Sequence, residues 1–251
     1  TTIRDRTLYT DWLFQRRGDV MIAHTTPIKA VIFGSIGTLV ETSELHREAF
    51  NQAFKDHGLG WKWDEETYRR LLDIPGGAKR LRAFNDESGD DVPGETLDAI
   101  HTTKNERFQK QLRTGKLKLR SEVGKLVNSA RAEGVLLGLA TTTEPATVSA
   151  ILSRFSDIWG SSPFHAVLDG SRVEREKPDP EVYTACLKAL ASTARDALAI
   201  EDSPSSTESA RSAGVPVVAT PSHYFREADF GDAPVLERLS DAPALQPLFE
   251  P

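Results

Sequence analysis

Apolar residues follow two different rhythms along this chain. From residue 43 to about residue 115 they recur every three to four positions. Leu45, Ala49, Phe50, Ala53 and Phe54 share one side of a helix over 43–57, with Thr42 or Ser43 as N-cap and Gly58 as stop. Further helical patterns cover 65–72, 78–84 and 97–112, punctuated by Gly76-Gly77, the 85–94 stretch and Gly115. No strand-like run interrupts them, so 42–115 reads as a helical insertion.

Outside that insertion the rhythm changes to short apolar runs at 29–33, 135–140, 166–168, 197–200 and 215–219. Helical patterns at 122–133, 145–155, 179–190 and 205–213 accompany the last four of them, with Pro145 near a first turn and Gly214 closing the last. This alternation predicts an α/β fold, a Rossmann-like doubly wound parallel sheet with helices on both faces, built from 29–41 and 116–251. The C-terminal tail, with Pro243, Pro247 and Pro251, is expected to trail over the surface. Residues 1–28 mix charges with a few aromatics and hold no continuous apolar core of a secretory signal. They read as a partly ordered N-terminal extension, with Met21 as a candidate natural start.

Composition narrows the class. Of 251 residues, 39% are hydrophobic and 27% charged, as in ordinary globular proteins. A net charge of −6 argues against a general nucleic-acid binder. No apolar run approaches the ~20 residues that span a bilayer. Cys186 is the single cysteine, which excludes an intrachain disulfide and fits a reducing, cytoplasmic compartment. A monomer or weak dimer is expected.

Four segments lie near the carboxyl ends of predicted strands, where open α/β sheets bind ligands. The first is Gly34-Ser35-Ile36-Gly37-Thr38. The second is Thr141-Thr142-Thr143 before Pro145, whose hydroxyls suit either a phosphate seat or an ordinary helix cap. Lys177 precedes Pro178 and so belongs in an extended loop, facing either a cleft or solvent. Glu201-Asp202 follows a strand directly, a pair suited to a hard cation such as Mg²⁺ or to a helix cap.

In this order the four segments resemble the motifs of the haloacid dehalogenase (HAD) superfamily. The likeness spans about 29–235 and is closest to its CbbY-type sugar-phosphate phosphatases and the neighbouring β-phosphoglucomutases. Supporting segments are Glu41-Thr42-Ser43-Glu44-Leu45-His46-Arg47, Gly76-Gly77-Ala78-Lys79-Arg80 and Glu176-Lys177-Pro178. The resemblance implies that 42–115 is a cap domain closing over the substrate. It also implies that Thr141 or Thr142 and Lys177 bind phosphate. Asp202, with Glu201, would face Mg²⁺, and Glu41, His46, Arg47 and Arg80 would meet substrate.

The first motif departs from the family pattern, Asp-x-Asp-Gly-Thr. Gly34 stands where the resemblance implies a nucleophile and Ile36 where it implies the acid/base. Ser35 is the nearest substitute, although strand alternation directs it away from the face of residues 34 and 36. Ala78 replaces the lysine of the family's Gly-Gly-Lys, whereas Arg80 matches a basic position. With two carboxylates gone, Mg²⁺ is expected to bind weakly or not at all. The expectation is a protein that binds a phosphorylated sugar or similar metabolite without hydrolysing it. Two alternatives remain: hydrolysis by a non-standard route through Ser35, His46 or a water activated by Asp202 or Glu201, and an interaction protein that keeps only the fold.

Overall fold

Five short apolar runs form one parallel sheet: β1 (Ala30–Phe33), β2 (Leu136–Ala140), β3 (Ala166–Leu168), β4 (Ala197–Glu201) and β5 (Val217–Ala219), in the order β3-β2-β1-β4-β5. The computed structural model describes residues 28–74 and 76–250, and the backbone of an antiparallel pair, Gln15–Arg16 with Asp19–Val20. Most of the expected N-terminal arm lies outside the described residues. Every residue of β1 and β4 is buried. Strands covered on both faces carry uninterrupted apolar runs instead of alternation, which is why these segments stand out in the sequence. Ile32 of β1 sits beside Gly138 and Ala199 in the two neighbouring strands. Strand order reverses beside β1, so the carboxyl ends of β1 and β4 flank the crevice of a doubly wound sheet.

The chain divides into two units, one of residues 1–41, 118–222 and 226–251, the other of 42–117 and 223–225. In the first unit, helices α6 (Val123–Ala132), α7 (Pro145–Arg154), the single-turn α8 (Ser156–Trp159), α9 (Glu181–Ala189) and α10 (Pro204–Ser212) connect or cover the strands. Tyr183, Cys186 and Leu187 of α9 pack with Ile32, Ala140 and Ala199 of the sheet. The second unit is helical: α2 (Ser43–Asp56), α3 (Glu65–Leu71), α4 (Gly77–Ser88) and α5 (Gly94–Thr114). Its core is aromatic, with Phe50, Phe54, Trp63 and Tyr68 buried together. Trp63 is pinned through its backbone, its N–H donating to Asn51 Oδ1 (2.7 Å) while its carbonyl accepts from Asn51 Nδ2 (2.8 Å). Helix α4 runs past the expected stop at 84 to Ser88, where Gly89 at φ 71° ends it.

The tail corrects an expectation. It does not trail over the surface: Leu239, Ala242, Ala244, Leu245 and Leu248 are buried. Two 3₁₀ turns, Leu239–Asp241 and Gln246–Leu248, turn these side chains inward without a regular period. Glu122 accepts from the Ser240 N–H (2.9 Å) and hydroxyl (2.8 Å), and Lys125 donates to the Phe249 carbonyl (2.8 Å). Burial of several apolar side chains outweighs the prolines' preference for exposed, irregular chain. Leu245→Ala is therefore expected to destabilise the fold by about 2–5 kcal/mol, the range for a truncated core leucine. Urea denaturation reads this as a lowered midpoint; a loss below about 0.5 kcal/mol, the surface range, would place Leu245 outside the core.

Candidate functional site

The first motif is the turn from β1 into a single helical turn, α1 (Ile36–Leu39). Gly34 extends the sheet ladder by donating its N–H to the Ile200 carbonyl (2.9 Å). Ser35, extended at φ −151°, is the N-cap, and Thr38 donates its hydroxyl to the Ser35 carbonyl (2.7 Å). Ile36 is buried and Thr38 with it. Arg120 grips the same turn. Its guanidinium donates to the carbonyls of Gly37 (3.0 Å), Thr220 (2.7 Å) and Pro221 (2.8 Å), tying the β1 loop to the loop after β5.

Glu201 and Asp202, at the end of β4, each cover one glycine of this turn. A Cβ on Gly34 would lie 1.9 Å from Glu201 Oε1 and 2.0 Å from the Tyr183 hydroxyl. One on Gly37 would lie 1.8 Å from Asp202 Oδ2. A side chain at either position would require these side-chain ends to move, so glycine is what the present placement of Glu201, Tyr183 and Asp202 accommodates. Lys177 completes the group: its ammonium donates to Glu201 Oε1 (2.7 Å) and to the Gly34 carbonyl, and it lies over the Tyr183 ring. Tyr183 donates its hydroxyl to Glu201 Oε1 (2.5 Å). Lys177 and Glu201 are both buried.

Burial pushes the Glu201 carboxyl above the usual range, and the Lys177 charge opposes that shift. Burial, with the charge on Glu201, holds the Tyr183 phenol well above its ordinary value, so it serves as a neutral donor. Asp202 is also raised by burial, against the Ser35 hydrogen bond and the Arg120 charge. Ser35 donates its hydroxyl to Asp202 Oδ1 (2.7 Å). Strand alternation would send Ser35 away from the face of residue 34. As an N-cap it has left the strand, and it meets the acidic pair alongside Gly34.

At the end of β2, Thr141 is buried and its hydroxyl is used locally, donating to Thr143 Oγ1 (2.9 Å) and accepting the Thr143 N–H (3.1 Å). Thr142 is half-buried beside it. Gly34, Ser35, Lys177, Glu201 and Asp202 thus form one cluster, with the threonines at the end of the adjacent strand. Glu41 is exposed at the end of the core segment.

The other substrate candidates belong to the helical unit. His46 stacks on Phe108 (3.7 Å between centroids), and burial, then Lys104 and Arg80, hold its pKa well below 6.5. Arg47 is bound within its unit, to the Glu44 carboxylate and to the Trp63 carbonyl (3.0 Å). Arg80 Nε donates to the carbonyls of Leu71 (3.1 Å) and Ile74 (2.9 Å). Sequence reasoning missed Tyr183 and Arg120. Tyr183 sits at helical spacing with Cys186 and Leu187 and reads as core, while Arg120 lies in a segment with no period.

A Mg²⁺ site needs several well-placed oxygens, carboxylates above all. Positions 34 and 36 supply no carboxylate, Glu201 Oε1 is bonded to Lys177 and Tyr183, and Asp202 Oδ1 to Ser35. Among the described residues no three His, Cys, Asp or Glu side chains converge as a metal site.

Removing the lysine would leave Glu201 buried without a counter-charge. Lys177→Met is expected to cost about 3–5 kcal/mol near neutral pH. A carboxyl whose folded pKa is raised holds a proton that the unfolded chain releases, so stability falls as pH rises from 4.5 through the folded pKa. The loss should therefore shrink as pH falls through the raised folded pKa and the carboxyl takes up a proton. Thermal unfolding of variant and parent across pH measures it; a pH-independent difference would contradict the charge argument.

Comparison with known proteins places this geometry. The model of the haloacid dehalogenase-like hydrolase family matches residues 31–220. Protein CbbY of Rhodobacter capsulatus is 37% identical over 206 residues, 82% of this chain and 91% of that protein. The plasmid-encoded protein CbbY of Cupriavidus necator is 36% identical over 230 residues, 89% of this chain and 91% of its own. The crystal structure of a CbbY mutant from Rhodobacter sphaeroides, in complex with xylulose-(1,5)bisphosphate, superposes with a TM-score of 0.75. It is 34% identical, with 86% of this chain and 95% of that one covered. The sheet order, the position of the first-strand turn and these matches together show that the chain belongs to the haloacid dehalogenase-like hydrolases, in their CbbY-type branch.

Proposed function

We propose that this protein binds a phosphorylated sugar, or a metabolite of that kind, and does not run the aspartyl-phosphate reaction of its relatives. One observation carries the reading: the backbone at Gly34 has no room for any side chain while Glu201 and Tyr183 stand where they do. A nucleophile is missing and its seat is filled. Losing a nucleophile alone lowers turnover by about a millionfold in a well-studied hydrolase. Lys177, Thr141 and Thr142 supply an ammonium and hydroxyls of the kind that hold phosphate oxygens. The bisphosphate bound by the Rhodobacter sphaeroides CbbY supports a phosphosugar as the ligand class.

Under this reading the helical unit serves as a cap, and Glu41 of the core segment with His46, Arg47 and Arg80 of the helical unit are the candidate substrate residues. Mg²⁺ contributes little, and the protein works as a monomer or weak dimer in the cytoplasm. No helix among the described residues is long and apolar enough to cross a membrane. A second reading rests on the Ser35–Asp202 hydrogen bond of 2.7 Å, which pairs a hydroxyl with a carboxylate able to take its proton.

Calorimetry with sugar monophosphates and bisphosphates is expected to show binding without Mg²⁺, little changed by adding it. A release assay on the same compounds and a generic phosphate ester should stay at background. No binding in either condition would overturn the ligand reading. Turnover abolished by Ser35→Ala would favour the second.

A further inference from the structure

The position of Glu201 has a meaning of its own. Its carboxylate oxygen lies 1.9 Å from where the Cβ of any residue 34 other than glycine would begin, well inside van der Waals contact. The same oxygen takes the Lys177 ammonium at 2.7 Å and the Tyr183 hydroxyl at 2.5 Å. The lysine's other contact is the Gly34 carbonyl. A negatively charged group thus sits where a side chain is missing, and it holds the cation that a phosphate would require.

We propose that Glu201 is an internal anionic plug: it fills the seat emptied at residue 34, sequesters Lys177, and must swing out before a phosphate group can bind. The part concerning phosphate rests on the reading given under Proposed function. The part concerning Gly34 does not. The plug works because carboxylate and phosphate compete for one buried ammonium, and two anions cannot share it without like-charge repulsion. Gly34 and Glu201 are then a coupled pair. Restoring a side chain at 34 expels the plug, and removing the plug makes room at 34. Restoring aspartates at 34 and 36 alone would set a new carboxylate against Glu201 in the same space.

Two measurements on the full chain test this. The first is a thermal-unfolding cycle for Gly34→Ala, in the unmodified protein and in a Glu201→Ala/Tyr183→Phe background. In the unmodified protein the added methyl should lower Tm by several degrees. In the background, where the colliding oxygens are gone, the loss should be less than half as large. An equal loss in both overturns the plug.

The second titrates inorganic phosphate calorimetrically into the unmodified protein and into Glu201→Gln. The variant should bind about tenfold tighter or more, because its neutral amide no longer competes for Lys177. Equal or weaker binding overturns the competition. Glu201→Asp retracts the carboxylate by one methylene, keeps a counter-charge for the lysine, and gives the same comparison if Glu201→Gln does not fold. If no protein in the set binds phosphate, the phosphate-site reading fails, and the unfolding cycle alone decides whether Glu201 holds the seat of residue 34.

Discussion

A buried ammonium and a buried carboxylate can only stay buried together. Desolvating either costs several kcal/mol, and the attraction between Lys177 and Glu201 offsets that cost only because the geometry is tight and the remaining valences are used. The Tyr183 hydroxyl and the Gly34 carbonyl supply those valences. The pair therefore reaches across four segments: the end of β1, the Lys177 loop, the first turns of α9 and the end of β4. What happens at residue 34 is inseparable from it. A side chain there would displace the carboxylate, strand the lysine and disturb the tyrosine. Glycine at residue 34 is thus matched by its neighbours within the fold.

Arg120 plays a complementary part from the other side of the turn. The pair fixes the Gly34 end through charge, while the guanidinium fixes Gly37 through carbonyl dipoles and ties it to the loop after β5. A planar group with several fixed donors suits this bridging, which a lysine's single ammonium would do poorly. Between these anchors the side-chain ends of residues 201 and 202 lie on the two glycines. The turn after β1 is a packed joint. Asp202 retains the hydrogen bond to Ser35 that gives the second functional reading its basis.

The legible parts of this protein were those whose physics is local or repetitive. Parallel strands buried on both faces read as unbroken apolar runs, and 166–168 was found at its expected bounds. Lys177, Glu201 and Asp202 could be placed at strand ends because prolines and strand boundaries fix where such loops lie. Their partners could not be read. Tyr183 has the spacing of a core residue and is one, and only the third dimension shows that its hydroxyl reaches Glu201. The inward turn of Leu239, Leu245 and Leu248 has no period at all, so the prolines around it pointed to the wrong outcome. Nor does the sequence say that the space above Gly34 is filled, because the filling residue lies 167 positions away.

The inward-turned tail also has a consequence for the order in which the chain can assemble. Nearly all of the helical unit is continuous in sequence, so it can gather its aromatic core while later residues are still being made. The sheet unit cannot. Its central strand waits for flanking strands about a hundred and more residues later, and α6, which leads into β2, is covered only when the 246–248 turn reaches it. During synthesis the first strand of the sheet is therefore exposed longest.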